Sequence, residues 1–118
     1  MKQRDADAVH LLREIMSDRT ASGILVIINL RAKQGYIETA RAALMKITDP
    51  IRINPDCFEF RVYQDQQDPQ NFTLWERWVS KEALFSHGKR DYMAEYMALK
   101  DEIFEEPSGG FYQELHAP

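Results

Sequence analysis

The spacing of hydrophobic residues divides this chain into a series of strands and helices. Apolar, mostly β-branched residues fill positions 24–32, which predicts a first strand. Hydrophobic residues recur every three or four positions over 36–51, which predicts a helix with one buried face. Strands are predicted at 57–64 and 72–79, and the polar loop between them indicates an antiparallel hairpin.

The second half of the chain predicts further helix and a last strand. Ser80 is a suitable N-cap for a helix that begins at Lys81, and another helix is predicted over 91–105. The stretch 107–110, Pro-Ser-Gly-Gly, predicts a break before a short strand at 111–116. This order is typical of an α+β, ferredoxin-like βαββαβ fold with a four-stranded antiparallel sheet and helices on one face.

The first 22 residues stand apart from this pattern. Residues 5–17 predict a short amphipathic helix, and small polar residues then separate it from the first strand. We therefore expect two regions: an extra N-terminal helix and linker at 1–22, and one ferredoxin-like domain at 23–118. The apolar stripe of the extra helix needs cover, and a partner subunit can provide it.

Composition and charge exclude several classes of protein. The 118 residues hold 15 Lys and Arg against 19 Asp and Glu, a net charge of −4, so no nucleic acid partner is expected. The longest apolar run, at 24–28, is too short to span a bilayer, and the N-terminus does not resemble a secretory signal. We expect a soluble cytoplasmic protein without membrane contact. The single cysteine, Cys57, favours a buried, inert thiol.

Large aromatic residues occur on both faces of the second hairpin strand. Trp78 lies on one face and Trp75 on the other, whereas the predicted helices cover one side of the sheet only. Large exposed apolar patches are rare on monomers. The pattern therefore predicts a homodimer in which the open sheet faces of two copies meet.

The sequence contains no established catalytic motif, and its three histidines are too scattered to predict a metal site. The most informative position is Glu76, a carboxylate that shares a strand face with Phe72, Leu74 and Trp78. A buried carboxylate needs a hydrogen-bond donor or a proton, and His87 on the next helix is a natural donor. Such a pair can move protons in catalysis, or it can simply lock helix to sheet.

Other residues are candidates for ligand binding, each with a structural alternative. Trp78, Tyr63 and Tyr92 can line a pocket for a flat aromatic ligand, or they can be ordinary core residues. Asn29 lies within an apolar strand, where its amide needs either a ligand carbonyl or a neighbouring backbone group. Arg61 can anchor an anionic substrate or pair with nearby glutamates.

A longer motif indicates a family. The pattern F-x-L-x-E-x-W-x-x-x-E-A-L-x-x-H is present, with its residues at Phe72, Leu74, Glu76, Trp78, Glu82, Ala83, Leu84 and His87. The sequence around it resembles the antibiotic biosynthesis monooxygenase (ABM) domain family, and the resemblance extends over about residues 23–116. It implies a dimeric α/β barrel. Members include cofactor-independent monooxygenases of quinols or polyketide aromatics, haem-degrading enzymes and an enzyme that processes a phosphorylated autoinducer.

The resemblance also implies roles for single residues. Trp78 matches the pocket tryptophan, and Glu76 and His87 match the strand carboxylate and the helix histidine. Leu74 stands where a polyketide-oxidising member has a pocket asparagine, so that member's chemistry is not expected here. Asn29 resembles the asparagine of haem-degrading members, but their haem-binding histidine has no counterpart on the later helix. No haem or other cofactor is therefore expected.

Three functions follow. The first is a cofactor-independent monooxygenase of a small phenol or quinol, in which His87 is the base, Glu76 orients it, Trp78 and Tyr92 hold the ring and Asn29 polarises a carbonyl. The second is an isomerase or tautomerase of a small metabolite, phosphorylated or not. The third is a non-catalytic, ligand-binding dimer module whose polar pair is structural.

Overall fold

The computed structural model describes residues 23–115, so the predicted N-terminal helix and the chain end from His116 lie outside the described residues. In chain order the elements are β1 (Ile24–Arg31), α1 (Ile37–Ile53), β2 (Cys57–Gln64), β3 (Asn71–Trp78), α2 (Lys81–His87), a 3₁₀ helix (Asp91–Met93), α3 (Ala94–Ile103) and β4 (Ser108–Tyr112). The predicted order is confirmed. Over the described part of the chain, no helix has both the length and the apolar character needed to cross a membrane.

The strands form one antiparallel sheet in the order β2-β3-β1-β4. This is the four-stranded, α+β ferredoxin-like topology that the element order predicts. β1 and β3 occupy the centre and pair along their whole length, from Ile24 opposite Trp78 to Arg31 opposite Asn71. Because β3 is hydrogen-bonded on both edges and covered by helices, its helix-facing side chains lie deep in the molecule.

The helices cover one face of the sheet, and the core lies between the two layers. Every second side chain of β3 is buried there: Phe72, Leu74, Glu76 and Trp78. α1 presents its own buried stripe against them, made by Ala40, Leu44, Ile47, Thr48 and Ile51. The alternation that the sequence predicts for β3 is therefore confirmed, and it places one carboxyl group inside an apolar core.

Helix α2 begins where the sequence predicts. The hydroxyl of Ser80 accepts a hydrogen bond from the backbone N–H of Ala83 at 3.1 Å, which satisfies one of the free amides of the first turn. The helix ends at His87, a residue that is only 7% exposed. The single helix predicted over 91–105 is instead the 3₁₀ helix followed by α3, and the tighter turn begins with Met93 N–H donating to the carbonyl of Arg90.

The last strand differs from the prediction. β4 occupies Ser108–Tyr112, so the two glycines predicted to break the chain lie inside it. Gly109 has a φ of +117°, and a Cβ there would stand 2.0 Å from the carbonyl oxygen of Ile27. A glycine is required because β1 and β4 approach too closely for a side chain at this point. The Pro-Ser-Gly-Gly signal therefore marks a close strand contact and not a loop.

Candidate active site

The residues predicted to form the site lie on two opposite sides of the sheet. Glu76 and Trp78 face the helices, where they meet His87 and Tyr92. The other predicted ligand-binding residues are Asn29, Arg61 and Tyr63, which all lie on the open face. The strand register separates the two groups, because Phe60 is opposite Glu76 whereas its neighbour Arg61 is opposite Trp75. Only the helix-side group forms a connected cluster.

The carboxyl group of Glu76 is buried, with 3% of the residue exposed. Its Oε1 accepts a hydrogen bond from the indole Nε1 of Trp78 at 3.0 Å. Residues two apart on a strand share a face, so this contact is local to β3. The predicted donor to Glu76 was His87, and that prediction is wrong within residues 23–115, where the indole N–H takes this place. An indole N–H is a donor only, so it suits a carboxylate oxygen.

The imidazole of His87 packs against the ring of the same indole. The two ring centroids are 4.4 Å apart at an interplanar angle of 30°. The imidazole Nδ1 is 3.2 Å from the hydroxyl oxygen of Tyr92, which lies in the 3₁₀ helix. Trp78 thus contacts both titratable groups, and it is fully buried. The sequence predicts a Glu76–His87 pair, and the structure connects the two residues through Trp78.

One residue outside the predicted site completes the cluster. Asn54 is the C-cap of α1, and its Nδ2 donates to the Tyr92 hydroxyl at 3.2 Å. Its Oδ1 accepts from the backbone N–H of Asp56 at 3.0 Å. The Asn-Pro-Asp sequence signals this local turn. Nothing in the sequence indicates that the Nδ2 group of this amide contacts Tyr92, 38 positions later.

Burial shifts the pKa values of the two acid–base groups in opposite directions. Desolvation raises the pKa of Glu76 from 4.5 to about 7, against the opposing effect of the Trp78 hydrogen bond. Desolvation lowers the pKa of His87 from 6.5 to about 4. At neutral pH the imidazole is therefore neutral and the carboxyl group is partly protonated. Pairs of groups whose environments drive their pKa values apart are typical of acid–base sites.

Two further pKa values describe the surroundings. Burial, with the negative charge of Glu76 as the second cause, raises the pKa of Tyr96 to about 12. Burial also raises the pKa of the Cys57 thiol to about 12, which agrees with the inert thiol predicted from the sequence. Both groups stay protonated at neutral pH.

The open-face residues have partners of their own. Asn29 is exposed, and its Oδ1 accepts a hydrogen bond from the Thr73 hydroxyl at 3.3 Å. Arg61 forms an ion pair with Glu59, which is one of the two alternatives that the sequence left open. Tyr63 is 47% exposed, and it lines, together with Asn29, a cavity of about 670 Å³. These residues are too far from the helix side to act on a ligand held there.

Two cavities adjoin the helix-side cluster and the edge strand. One, of about 400 Å³, lies at the end of α1 and is lined by Pro50, Ile53, Asn54, Pro55, Arg90 and Tyr92. The other, of about 330 Å³, lies beside β2 and is lined by Arg52, Cys57, Phe58, Glu59, Phe60 and Arg61. Both fall within the size range of small-molecule sites. Among residues 23–115, no three His, Cys, Asp or Glu side chains are grouped so as to hold a metal ion.

Comparison with known proteins gives a consistent result. The sequence profile of the family described as "Antibiotic biosynthesis monooxygenase" matches residues 23–99. An uncharacterized Synechocystis protein, sll1783, is 25% identical over 85 residues, which cover 72% of this chain and 58% of that protein. The match therefore spans less than two thirds of the relative's length.

Solved structures share the fold. PA3566 from Pseudomonas aeruginosa superposes with a TM-score of 0.76 at 18% identity, covering 82% of this chain and 98% of that one. Rv0793 from Mycobacterium tuberculosis gives a TM-score of 0.72 at 22% identity, with 80% and 97% covered. A structure described as an antibiotic biosynthesis monooxygenase gives 0.72 at 19% identity, with 79% and 99% covered. At these identities the likeness concerns the fold alone.

Proposed function

Because the chain belongs to the antibiotic biosynthesis monooxygenase family, we propose that it is a cofactor-independent monooxygenase of a small, acidic phenol or quinol. The observation that carries this proposal is the pair of buried acid–base groups in contact with Trp78: Glu76 Oε1 is 3.0 Å from its Nε1, and the His87 ring centroid is 4.4 Å from the indole centroid. An oxygenase without a cofactor needs a group that removes a proton from the substrate, and a dry site that retains the anion.

His87 is the proposed base and Glu76 the group that supports it through Trp78. The imidazole is neutral at neutral pH because burial lowers its pKa to about 4, so a ring nitrogen is free of a proton. The same low pKa means that His87 takes a proton readily only from an acidic group. This favours substrates such as quinols with electron-withdrawing substituents over simple alcohols.

The substrate anion supplies the electrons that reduce molecular oxygen. One oxygen atom enters the substrate and the other leaves as water, so no separate reductant is needed. Tyr92 is the proposed aromatic contact of the substrate ring, because it lines the cavity of about 400 Å³ at the end of α1. Trp78, which the sequence also predicts for this role, is fully buried and lines none of the cavities described above, so its proposed part is to pack against His87, with ring centroids 4.4 Å apart.

A homodimer through the open sheet face is part of the proposal. In this arrangement Asn29, Arg61 and Tyr63 contact the second copy instead of the substrate held under the helices. The relevant support is that they lie on the face that the helices leave uncovered. The substrate set predicted from the sequence is thereby divided into a site group and an interface group.

A second candidate is the isomerase or tautomerase of a small metabolite. Its support is the cavity beside β2, which two arginines line and which suits a phosphorylated compound. Its positive charge is partly used within the protein, because Arg61 pairs with Glu59 and Arg52 Nε donates to the carbonyl of Phe60 at 3.0 Å. This makes the oxygenase the stronger proposal.

Oxygen uptake tests the proposal directly. Purified, chelator-treated protein is mixed with a panel of hydroquinones and hydroxynaphthoquinols, and uptake is compared with autoxidation of each compound alone. We expect uptake above that background, and we expect His87→Ala to reduce it about 100-fold because the base is lost. Circular dichroism of the variant controls for folding.

The other outcomes discriminate among the candidates. A folded His87→Ala protein with the wild-type rate contradicts the assignment of the base. No uptake with any compound, together with isomerisation of a phosphorylated hydroxyketone, supports the isomerase. Binding without turnover of any kind supports the non-catalytic module.

A further inference from the structure

We propose that Asn54 is a positioning residue that keeps the proton of His87 on Nε2, and that the Tyr92 hydroxyl passes the substrate's proton to Nδ1. The inference rests on the proposed function for the direction of proton flow. The tautomer of His87, by contrast, depends only on hydrogen bonds within the protein. The tautomer can therefore be tested separately from turnover.

The backbone amide of Asp56 determines how the Asn54 side chain is oriented. The N–H of Asp56 can only donate, and it meets one end of the Asn54 side-chain amide at 3.0 Å. That end must therefore be the carbonyl oxygen Oδ1. The amino group Nδ2, which can only donate, then faces the hydroxyl oxygen of Tyr92 at 3.2 Å. The turn at the end of α1 thus determines which way the amide points.

The next hydrogen bond joins Tyr92 to His87. The Tyr92 oxygen accepts from Asn54, and its single proton remains to be donated. The imidazole Nδ1 of His87 lies 3.2 Å away. In the proposed arrangement the hydroxyl donates to Nδ1, so that the proton of the neutral imidazole is on Nε2. One backbone N–H would then select the tautomer of a histidine 31 positions along the chain.

The same contacts define the route of the proton. Glu76 and His87 are only 3% and 7% exposed, so a ligand outside the core meets other residues first. Asn54 and Tyr92, which form the outer end of this chain of hydrogen bonds, line the cavity of about 400 Å³ at the end of α1. Arg90 lines the same cavity and supplies a positive charge next to the place where a substrate anion would form. This favours acidic substrates of modest size.

The step is balanced as a double proton transfer. The O–H bond of the substrate breaks as its proton binds the Tyr92 oxygen, and the O–H bond of Tyr92 breaks as its own proton binds Nδ1. The imidazole becomes an imidazolium that donates to the Tyr92 oxygen. The newly formed Tyr92 hydroxyl then donates to the substrate anion. No donor or acceptor in this series of hydrogen bonds therefore loses its partner.

Asn54→Asp is the decisive variant. The introduced carboxylate still accepts from the Asp56 N–H, but it cannot donate to Tyr92, whose hydroxyl proton must turn towards it. The Tyr92 oxygen then accepts from His87, and the tautomer changes from Nε2–H to Nδ1–H. We expect ring ¹⁵N chemical shifts to report this change by NMR, and oxygen uptake to fall about 100-fold.

Two further variants control the result. Gln66→Glu adds the same charge on an exposed loop and should leave both the ¹⁵N shifts and the uptake unchanged. Tyr92→Phe keeps the ring and removes the hydroxyl, so uptake should fall to the level of His87→Ala while the protein stays folded. Wild-type uptake by Tyr92→Phe overturns the relay.

The NMR measurement separates this inference from the proposed function. A wild-type imidazole with its proton on Nδ1 overturns the inference whatever the enzyme does. If the Nε2–H tautomer and its change in Asn54→Asp are observed but no compound is oxidised, the role of Asn54 stands and the oxygenase fails.

Discussion

At the scale of single residues, Trp78 determines how the buried polar groups coexist with an apolar core. Its N–H satisfies the Glu76 carboxyl, and its ring packs against the neutral imidazole of His87. A buried polar group costs free energy unless it is hydrogen-bonded. Within the described residues, every buried side-chain nitrogen and oxygen has a partner. The cluster is therefore compatible with a stable core, and its titration is still linked to stability.

The pKa shifts of Glu76 and His87 have opposite effects on stability. Glu76 has a raised pKa. Its contribution to the free energy of unfolding is therefore full below pH 4.5 and is lost as the pH rises through about 7. His87 has a lowered pKa. Its contribution to the free energy of unfolding is therefore full above pH 6.5 and is lost as the pH falls through about 4. In the wild-type protein the two trends partly cancel between these limits.

In the Glu76→Gln variant, we expect the free energy of unfolding to keep the pH dependence that His87 causes and to lose the one that Glu76 causes. Glutamine keeps an oxygen for the Trp78 N–H but does not titrate, so the variant loses the penalty that ionisation of Glu76 imposes. We expect its stability relative to wild type to increase by about 3 kcal/mol between pH 4.5 and 7. Urea unfolding at a series of pH values measures this difference. A difference that does not vary with pH would show that Glu76 titrates normally in the folded protein.

At the scale of elements, local signals predicted most of the fold. The Ser80 cap gave the start of α2 correctly, and the alternation of β3 placed its carboxyl group in the core. β4 was misplaced because the reason for Gly109 is a long-range one. Its close neighbour is Ile27, on a strand more than 80 positions earlier, and no local pattern reports such a contact.

Gly109 and Gly110 provide a matched test of that explanation. An alanine at Gly109 must adopt a φ of +117° and place its Cβ 2.0 Å from the Ile27 carbonyl, whereas a Cβ at Gly110 meets nothing within 4 Å. We expect Gly109→Ala to lower the free energy of unfolding by about 2 kcal/mol, from backbone strain and lost β1–β4 pairing. Gly110→Ala should change it by less than about 1 kcal/mol. Equal effects in urea unfolding would refute the close-contact argument.

The candidate site was predictable only in part, for a physical reason. Face alternation within one strand identified Glu76 and Trp78 as neighbours, because that relation is local. Alternation along β2 likewise separates Phe60 from Arg61 and Tyr63, which lie on the far side of the sheet. The sequence does not reveal how the end of α1 meets the 3₁₀ helix, where Asn54 contacts Tyr92.

At the scale of the whole molecule, the open face of the sheet combines aromatic side chains with charges that are already paired. Trp75, Tyr63 and Tyr112 are 38%, 47% and 51% exposed on this face. Between them, Glu59 pairs with Arg77 at 3.1 Å, and Arg77 pairs with Glu114 at 2.9 Å. Covering such a face buries apolar area without leaving a charge unpaired, which limits the desolvation cost.

A second copy is the proposed cover, because one surface can pair with itself about a two-fold axis. We expect sedimentation equilibrium to give twice the 13.8 kDa mass of the chain. Trp75→Lys places a second cation directly opposite Arg61 in the interface and should give the monomer mass with an unchanged circular dichroism spectrum. Met97→Lys is the matched control, since Met97 is similarly exposed, at 42%, but lies on α3, and it should remain dimeric. A wild-type protein that stays monomeric at high concentration, or a dimeric Trp75→Lys protein, would exclude the open face as the interface, since neighbouring like charges could not be buried there together.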